Sequence, residues 1–291
     1  MRKFEDVVTQ AILGLFTLLT VLLLGFLIFF IFRESIPAIQ DVGLKELLLG
    51  SQWRPLIYTD APSFGMRNMI VSTLYVSTLA VVFALVIGVG CAICLACVAT
   101  ERQRTLIMPY IDLLASIPSV IYGFIGLYIV VKFFEKLGRA TGESILAGGI
   151  VLSVMILPYM VSSCCDTMVK LHRRYGAASQ GLGVSRWYMV SQLVLPASTR
   201  GILISMALAT GRAMGETMAV MMVMGNSIAF PKLLGKGETI SALIAMEMGI
   251  AEVGSTHYSA LYTADLTLMI MLFIINIVFE LLKKKLAKGG V

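Results

Sequence analysis

Two charged residues, Arg212 and Glu216, lie inside the otherwise apolar stretch LATGRAMGETMAVMMVMGN, residues 208–226. A guanidinium group matches the paired oxygens of a carboxylate or a phosphate. A carboxylate accepts a hydrogen bond from a protonated oxyanion. A charge at bilayer depth costs from roughly 2.5 to more than 10 kcal/mol, depending on the scale. Both charges therefore need a partner inside the membrane, either each other or a bound ion, that offsets this free-energy cost.

Three interpretations of this pair are open. Arg212 and Glu216 have the i,i+4 spacing of a salt bridge on one helix face, which would be purely structural. Alternatively, Arg212 binds an anion while Glu216 accepts the hydrogen bond of a P–OH group, which would favour phosphate over fully ionised sulfate. A gating pair is the third interpretation. Thr217 either adds a hydroxyl beside the pair or bonds back to its own helix.

The composition indicates a membrane protein. Of 291 residues, 58% are hydrophobic and 14% are charged, whereas soluble domains carry about 25% charged residues. Residues 11–32 contain no charge, and a run of roughly 20 apolar residues crosses a bilayer as a helix. The net charge of +6 fits the Lys and Arg enrichment of cytoplasmic loops better than nucleic-acid binding.

The hydropathy pattern predicts an all-α polytopic protein with six transmembrane helices, at 10–33, 69–100, 106–131, 145–168, 198–228 and 260–283. The distribution of Lys and Arg predicts that both termini are cytoplasmic. The outer loop at 34–67 is predicted to be irregular or interfacial. Residues 229–257 contain an apolar segment too short to span, which predicts an interfacial or re-entrant helix.

Two further features have competing interpretations. The motif Cys91-x-x-Cys94-x-x-Cys97 resembles part of an iron–sulfur ligand run, but its place in an apolar helix favours small-residue packing. Asp112 is either an anchor at the inner interface, near Arg102 or Arg104, or a residue of a substrate pathway.

The polar segment 171–201 predicts a docking element. Its apolar residues have helical spacing, so we expect a short amphipathic helix that fills a groove of a partner. The segment resembles the coupling motif E-A-A-x3-G-x9-I-x-L-P of ABC importer permeases. The matching residues are Ala177, Ala178, Gly183, Leu195 and Pro196, with Trp187 between them; Ala177 replaces the glutamate of the motif.

Two more stretches resemble the PstC-type subunit of phosphate ABC importers: MPYIDLLASIPSVIYGFIGL at 108–127 and GRAMGETMAV at 211–220. The resemblance implies a type I ABC importer permease (MetI-like) core. It implies three parts: an N-terminal helix and outer loop at 1–67, a permease domain at 68–284 with a coupling helix near 177–196, and a basic cytoplasmic tail at 285–291.

The resemblance also implies partners and a location. These are a second, PstA-type permease subunit, a cytoplasmic ATPase dimer that holds ATP and Mg, an extracytoplasmic phosphate-binding protein, and the lipid of a bacterial cytoplasmic membrane. No cofactor, metal or covalent chemistry is expected in this chain. The sequence contains no G-x4-G-K-[ST] motif, so it cannot bind ATP through a P-loop.

The alternatives belong to different classes. A permease of the same family for sulfate or molybdate would share the coupling motif. A stand-alone ion-coupled transporter would need no ATPase. A membrane enzyme would need ionisable residues clustered at one depth, and the two histidines, His172 and His257, fall on opposite sides of the predicted topology.

Overall fold

The chain is built almost entirely from helices. A computed structural model describes residues 2–55, 62–138 and 141–288, with side chains from residue 9 to residue 286 of these ranges. Arg139 lies outside the described residues, as do 289–291 of the predicted basic tail. The described residues form these helices: α1 (Arg2–Asp41), α2 (Leu44–Leu49), α3 (Arg67–Ile93), α4 (Glu101–Ala115), α5 (Ser119–Ile125), α6 (Lys132–Lys136), α7 (Ile145–Gly181), α8 (Arg186–Met189), α9 (Leu195–Met214), α10 (Met218–Val223), α11 (Ile240–Glu247) and α12 (Thr256–Lys288).

Among the described residues, three π-helical turns continue helices: the first extends α3, and the other two join consecutive helices without a break. They are Cys94–Val98 after α3, Gly126–Val131 between α5 and α6, and Val190–Val194 between α8 and α9. The last of these makes α8 and α9 one apolar helix, Arg186–Met214. Among the described residues, five helices are long and apolar enough to cross a membrane, and α4 with α5–α6 makes a sixth span if that bent pair is counted as one. The all-α, six-span prediction is confirmed in this form.

The bend of 90° between Glu101–Ala115 and Ser119–Lys136 is caused by Pro118. A proline disfavours helical geometry at the residue before it and lacks an N–H group. The freed carbonyls find side-chain partners: the Tyr122 hydroxyl donates to Leu114 O at 2.8 Å, and the Tyr159 hydroxyl donates to Ala115 O at 2.9 Å. A Tyr of α7 therefore stabilises the break in its neighbour.

The centre of the bundle is the pair α3 and α7. Their backbones come close because glycines lie at the contact: a Cβ added to Gly88 would lie 2.8 Å from Met160, and one added to Gly149 would lie 3.0 Å from Leu79. Small residues at helix contacts allow such close packing in membranes. This core extends to α5, α9 and α10.

A second core holds the N-terminal region against α12. It contains buried Leu47, Trp53, Phe64 and Leu261, among others. The strands β1 (Trp53–Arg54) and β2 (Ser63–Phe64) pair antiparallel, with Trp53 opposite Phe64. The predicted irregular loop at 34–67 is therefore wrong for its described parts.

The boundary of one predicted span is corrected. The predicted fifth span, 198–228, ends as a helix at Met214, because the chain breaks at Gly215 and resumes in the short helix α10. Residues 285–288 of the predicted tail continue α12. The short helix expected within 229–257 is present as α11, and its first half is buried against the bundle.

Candidate functional site

Arg212 lies in the last turn of α9, where a cation interacts favourably with the carbonyl end of the helix dipole. Its guanidinium carbon lies 4.5 Å from the centroid of the Tyr159 ring on α7. A guanidinium group over an aromatic face at this distance makes a cation–π interaction. The side chain is therefore held by an aromatic ring.

Arg212 lines a cavity of about 410 Å³ between α4, α7 and α9. Its polar lining consists of Asp112 from α4, Tyr159, Ser162, Ser163 and Asp166 from α7, and Ser205 and Arg212 from α9. The four residues of α7 have the spacing i, i+3, i+4 and i+7, which places them on one helix face. A hydroxyl-rich cavity with one guanidinium group and two carboxylates therefore lies between the apolar helices and is open at the surface of the single chain.

Hydrogen bonds between helices order this lining. The Ser162 hydroxyl donates to Asp112 Oδ1 at 2.8 Å, which joins α7 to α4. The Ser205 hydroxyl lies 2.7 Å from the Ser163 hydroxyl, which joins α9 to α7. Asp112 thus lines the cavity, as a residue of a substrate pathway would. It does not pair with Arg104, which forms an ion pair with Glu101.

Glu216 has a different environment. Gly215 terminates α9, so Glu216 lies beyond the helix that carries Arg212. Its Oε1 accepts the Ala219 backbone N–H at 3.2 Å, at the start of α10, where a carboxylate satisfies a free N–H group. No ion pair joins it to Arg212 among the described residues. The i,i+4 salt bridge, one of the three interpretations of the pair, is not formed here, because the helix ends between the two residues.

Thr217 also lies in the non-helical segment between α9 and α10. Its hydroxyl lies 3.4 Å from Gly215 O, which is a local contact rather than a contact with the cavity. Of the three residues that the sequence assigned to a substrate pathway, only Arg212 lines the cavity.

The predicted coupling segment forms a helical hairpin rather than one short helix at 177–196. Helix α7 continues through Ala177 and Ala178 to Gly181, and α8 begins at Arg186. Gly183 has a φ of +67° in the turn, and the Ser185 hydroxyl caps α8 by accepting the Tyr188 N–H at 3.3 Å. Leu195 and Pro196 open α9 and are half-buried.

The hairpin presents an apolar tip. Leu182 is 80% exposed and Trp187 is 73% exposed, and Tyr188 beside them is also exposed. Because large apolar side chains at this exposure are unusual in a polar segment, they indicate a contact surface. On the flank of the hairpin, Glu101 pairs with Arg173 at 2.7 Å, which ties α4 to the end of α7.

The cysteine motif runs from α3 into its π-helical turn. Cys91 and Cys94 are exposed and Cys97 is buried. In the ranges that the structure describes, no group of three or more His, Cys, Asp or Glu side chains could hold a metal ion.

Comparison with known proteins identifies the family. Residues 84–289 match the family described as "binding-protein-dependent transport system inner membrane component". The chain belongs to this family of permeases.

The permease is similar to curated relatives over most of its length. It is 33% identical over 250 residues to the probable ABC transporter permease protein YqgH of Bacillus subtilis, covering 85% of this chain and 80% of that protein. It is 30% identical to the phosphate transport system permease protein PstC of Mesorhizobium japonicum, covering 94% and 89%. The expected resemblance to PstC-type permeases is thereby confirmed.

Solved structures confirm the fold class. The permease has a TM-score of 0.59 with an inward-facing methionine ABC transporter, MetNI, at 17% identity, covering 76% of this chain and 97% of that one. The TM-score is also 0.59 with a bacterial ABC transporter that imports the acidic polysaccharide alginate, at 15% identity, covering 92% and 95%. This is the type I ABC importer fold.

Sequence reasoning missed several cavity residues of the permease. Tyr159, Ser162, Ser163 and Asp166 form a polar stripe in the apolar stretch of α7. The helical spacing of polar residues within a predicted span was the available signal. Their convergence with Arg212 depends on the packing of α7 against α9, which spacing alone does not give.

Proposed function

We propose that this permease translocates inorganic phosphate inward across the cytoplasmic membrane, as one subunit of an ATP-driven importer. The observation that supports this most is the cavity, in which one guanidinium group and several hydroxyl groups can bind a small oxyanion. Relatives named as phosphate permeases match most of the chain at about 30% identity.

A second permease subunit covers the cavity in this proposal. Asp112, Asp166 and Arg212 are exposed on the surface of the single chain, within membrane-spanning helices. Charged side chains in a membrane face the interior of a bundle or an aqueous cavity rather than lipid. A PstA-type subunit packed on this face would remove these charges from lipid and close the pathway between two chains.

The hairpin tip, with exposed Leu182 and Trp187, is the proposed ATPase-docking surface. It lies on the cytoplasmic side in this account, as do both termini, while an extracytoplasmic phosphate-binding protein delivers the anion on the other side. ATP and Mg bind to the ATPase dimer, and this chain holds no cofactor.

The geometry suggests how ATPase closure reaches the anion. Two helices leave the hairpin: α7, which carries Tyr159 near its middle, and α8–α9, which carries Arg212 in its last turn. At 1.5 Å per residue, Tyr159 lies roughly 30 Å from the hairpin turn along α7. A movement of the hairpin therefore shifts the cation–π pair as part of one rigid unit, which is the alternating-access step that we propose.

Uptake of radiolabelled phosphate tests the proposal. Cells without other phosphate importers would express the permease with its candidate partner subunits. We expect saturable phosphate uptake that needs the ATPase and that excess sulfate or molybdate does not inhibit. Uptake of sulfate or molybdate instead would contradict the substrate, and uptake that continues without the ATPase would indicate an ion-coupled transporter.

A further inference from the structure

The carboxylates that share a cavity with Arg212, Asp112 and Asp166, are not the one that the sequence pairs with it. Glu216 lies in the break after α9, and its Oε1 accepts the Ala219 N–H. Asp112, in contrast, lines the same cavity as Arg212. The acceptor of a substrate proton is therefore to be sought between the two cavity carboxylates, and the contacts of Asp112 favour this residue.

Asp112 is fixed at the level of Arg212 by a short series of contacts. Arg212 lies over the Tyr159 ring, and the Tyr159 hydroxyl bonds to Ala115 O, three residues from Asp112 on α4. The Ser162 hydroxyl, one turn from Tyr159, donates to Asp112 Oδ1. Among the described residues, no hydrogen bond or ion pair uses Oδ2 of Asp112, so this oxygen is available to a ligand.

Hydrogen phosphate and sulfate share a tetrahedral shape and a double negative charge, but only hydrogen phosphate carries a P–OH group. A guanidinium group binds the unprotonated oxygens of either ion. A carboxylate accepts a hydrogen bond from P–OH but only repels sulfate, and sites that hydrogen-bond a substrate hydroxyl discriminate strongly against analogues without it.

We propose that Asp112 distinguishes protonated phosphate from sulfate, by accepting the P–OH hydrogen bond while Arg212 binds the other oxygens. This inference rests on the proposed function and adds to it the residue that sets specificity. Ser162 is the positioning residue, because its donated bond holds one oxygen of the Asp112 carboxylate and leaves the other for a ligand.

Asp166 provides a matched control. It lines the same cavity, but it lies four residues beyond Ser162 on α7, which is about 6 Å farther along the helix axis towards the hairpin. Its neutralisation changes the cavity charge by the same amount as neutralisation of Asp112. A change of charge alone acts alike on the two dianions, so it shifts both affinities and leaves their ratio unchanged.

The experiment measures equilibrium binding of radiolabelled phosphate to the purified, detergent-solubilised complex, with unlabelled sulfate as competitor and no binding protein present. The proteins compared are wild type, Asp112→Asn, Asp166→Asn and Glu216→Gln, each checked for assembly by co-elution. We expect Asp112→Asn to lower the phosphate-to-sulfate affinity ratio by at least about tenfold, whereas the other two variants change the ratio by less than about threefold.

The outcomes distinguish a failure of phosphate transport as the function from a failure of the specificity role of Asp112. If wild type binds no phosphate, the proposed function fails, and this inference fails with it. If wild type binds phosphate but Asp112→Asn keeps the wild-type ratio, or if Asp166→Asn or Glu216→Gln lowers the ratio equally, the inference alone is overturned.

Discussion

At the scale of single residues, Glu238 is a buried carboxylate outside the membrane-spanning helices. It precedes α11 and is 6% exposed. Burial, and secondarily the charge of Glu247, raises the pKa of Glu238 from 4.5 to about 7. Glu247 itself is held by the Trp53 Nε1 donor at 2.8 Å and by His257 at 2.7 Å. The buried Glu238 carboxyl therefore makes this corner of the fold sensitive to pH.

The direction of this sensitivity follows from proton linkage. Between pH 4.5 and about 7 the folded state keeps the Glu238 proton while the unfolded state releases it. The free energy of unfolding therefore falls as pH rises through this window, by about 3 kcal/mol in total, and stays low above it.

We expect Glu238→Gln to remove the fall in the free energy of unfolding that occurs as pH rises. The variant should raise the free energy of unfolding at pH 8 by up to about 3 kcal/mol and change it little at pH 4.5, because glutamine carries no charge at either pH. Thermal unfolding of the purified protein at the two pH values measures this, with exposed Glu252→Gln as control. Equal pH dependence in wild type and Glu238→Gln would show that Glu238 is ionised without cost.

The roles of Arg212 and Glu216 show the limit of prediction at this scale. Their residue types and their apolar surroundings drew attention to position 212, which lines the cavity. Their roles differ because α9 ends before Gly215, and the loss of helical geometry over residues 215–217 places Glu216 at the start of α10 rather than in the cavity. Position in the sequence does not reveal such a break, because glycine also occurs within membrane helices.

At the scale of elements, the helical hairpin depends on one backbone conformation. Gly183 has a φ of +67°, and no atom lies within 4 Å of the place where its Cβ would be. An alanine there would meet no clash, so its cost is confined to the left-handed backbone, about 1–2 kcal/mol. Gly181, the last residue of α7, is also free of neighbours within 4 Å but has no positive φ.

These two glycines give a matched pair of variants. We expect Gly183→Ala to distort the hairpin turn, to weaken co-purification of the ATPase and to lower phosphate uptake severalfold. Gly181→Ala should behave as wild type, because alanine favours a helix more than glycine does. Uptake and co-purification are normalised to the amount of permease in the membrane. Equal behaviour of both variants would mean that the turn conformation does not matter for coupling.

The elements themselves were largely predictable. Long apolar runs identified the spans. The extent of the hairpin was not predictable in the same way, because α7 continues as a helix well past its apolar part into the polar residues up to Gly181. Polar helical segments that project from a membrane lack the apolar signal on which the span prediction rests.

At the scale of the whole molecule, the single chain leaves much apolar surface uncovered. Helix α1 is exposed along its apolar length and packs against α12, which suits a helix at the lipid boundary. The face with the cavity is different, because it exposes charges at the depth of the spans. Composition and charge distribution predicted a membrane protein, but which face meets lipid depends on the packing of the helices.

The central claim is that the anion passes through the cavity at Arg212. The most direct test compares labelled-phosphate uptake in wild type, Arg212→Ala and Arg200→Ala at equal membrane abundance. Arg200 is exposed on the same helix α9 but does not line the cavity, so its removal controls for the loss of an arginine.

We expect Arg212→Ala to lose uptake by more than about a hundredfold while the complex still assembles, because the cavity then has no cation to bind the anion, and we expect Arg200→Ala to keep most of its uptake. Uptake by Arg212→Ala within about twofold of wild type would contradict the account, since a pathway that needs this guanidinium group could not tolerate its removal.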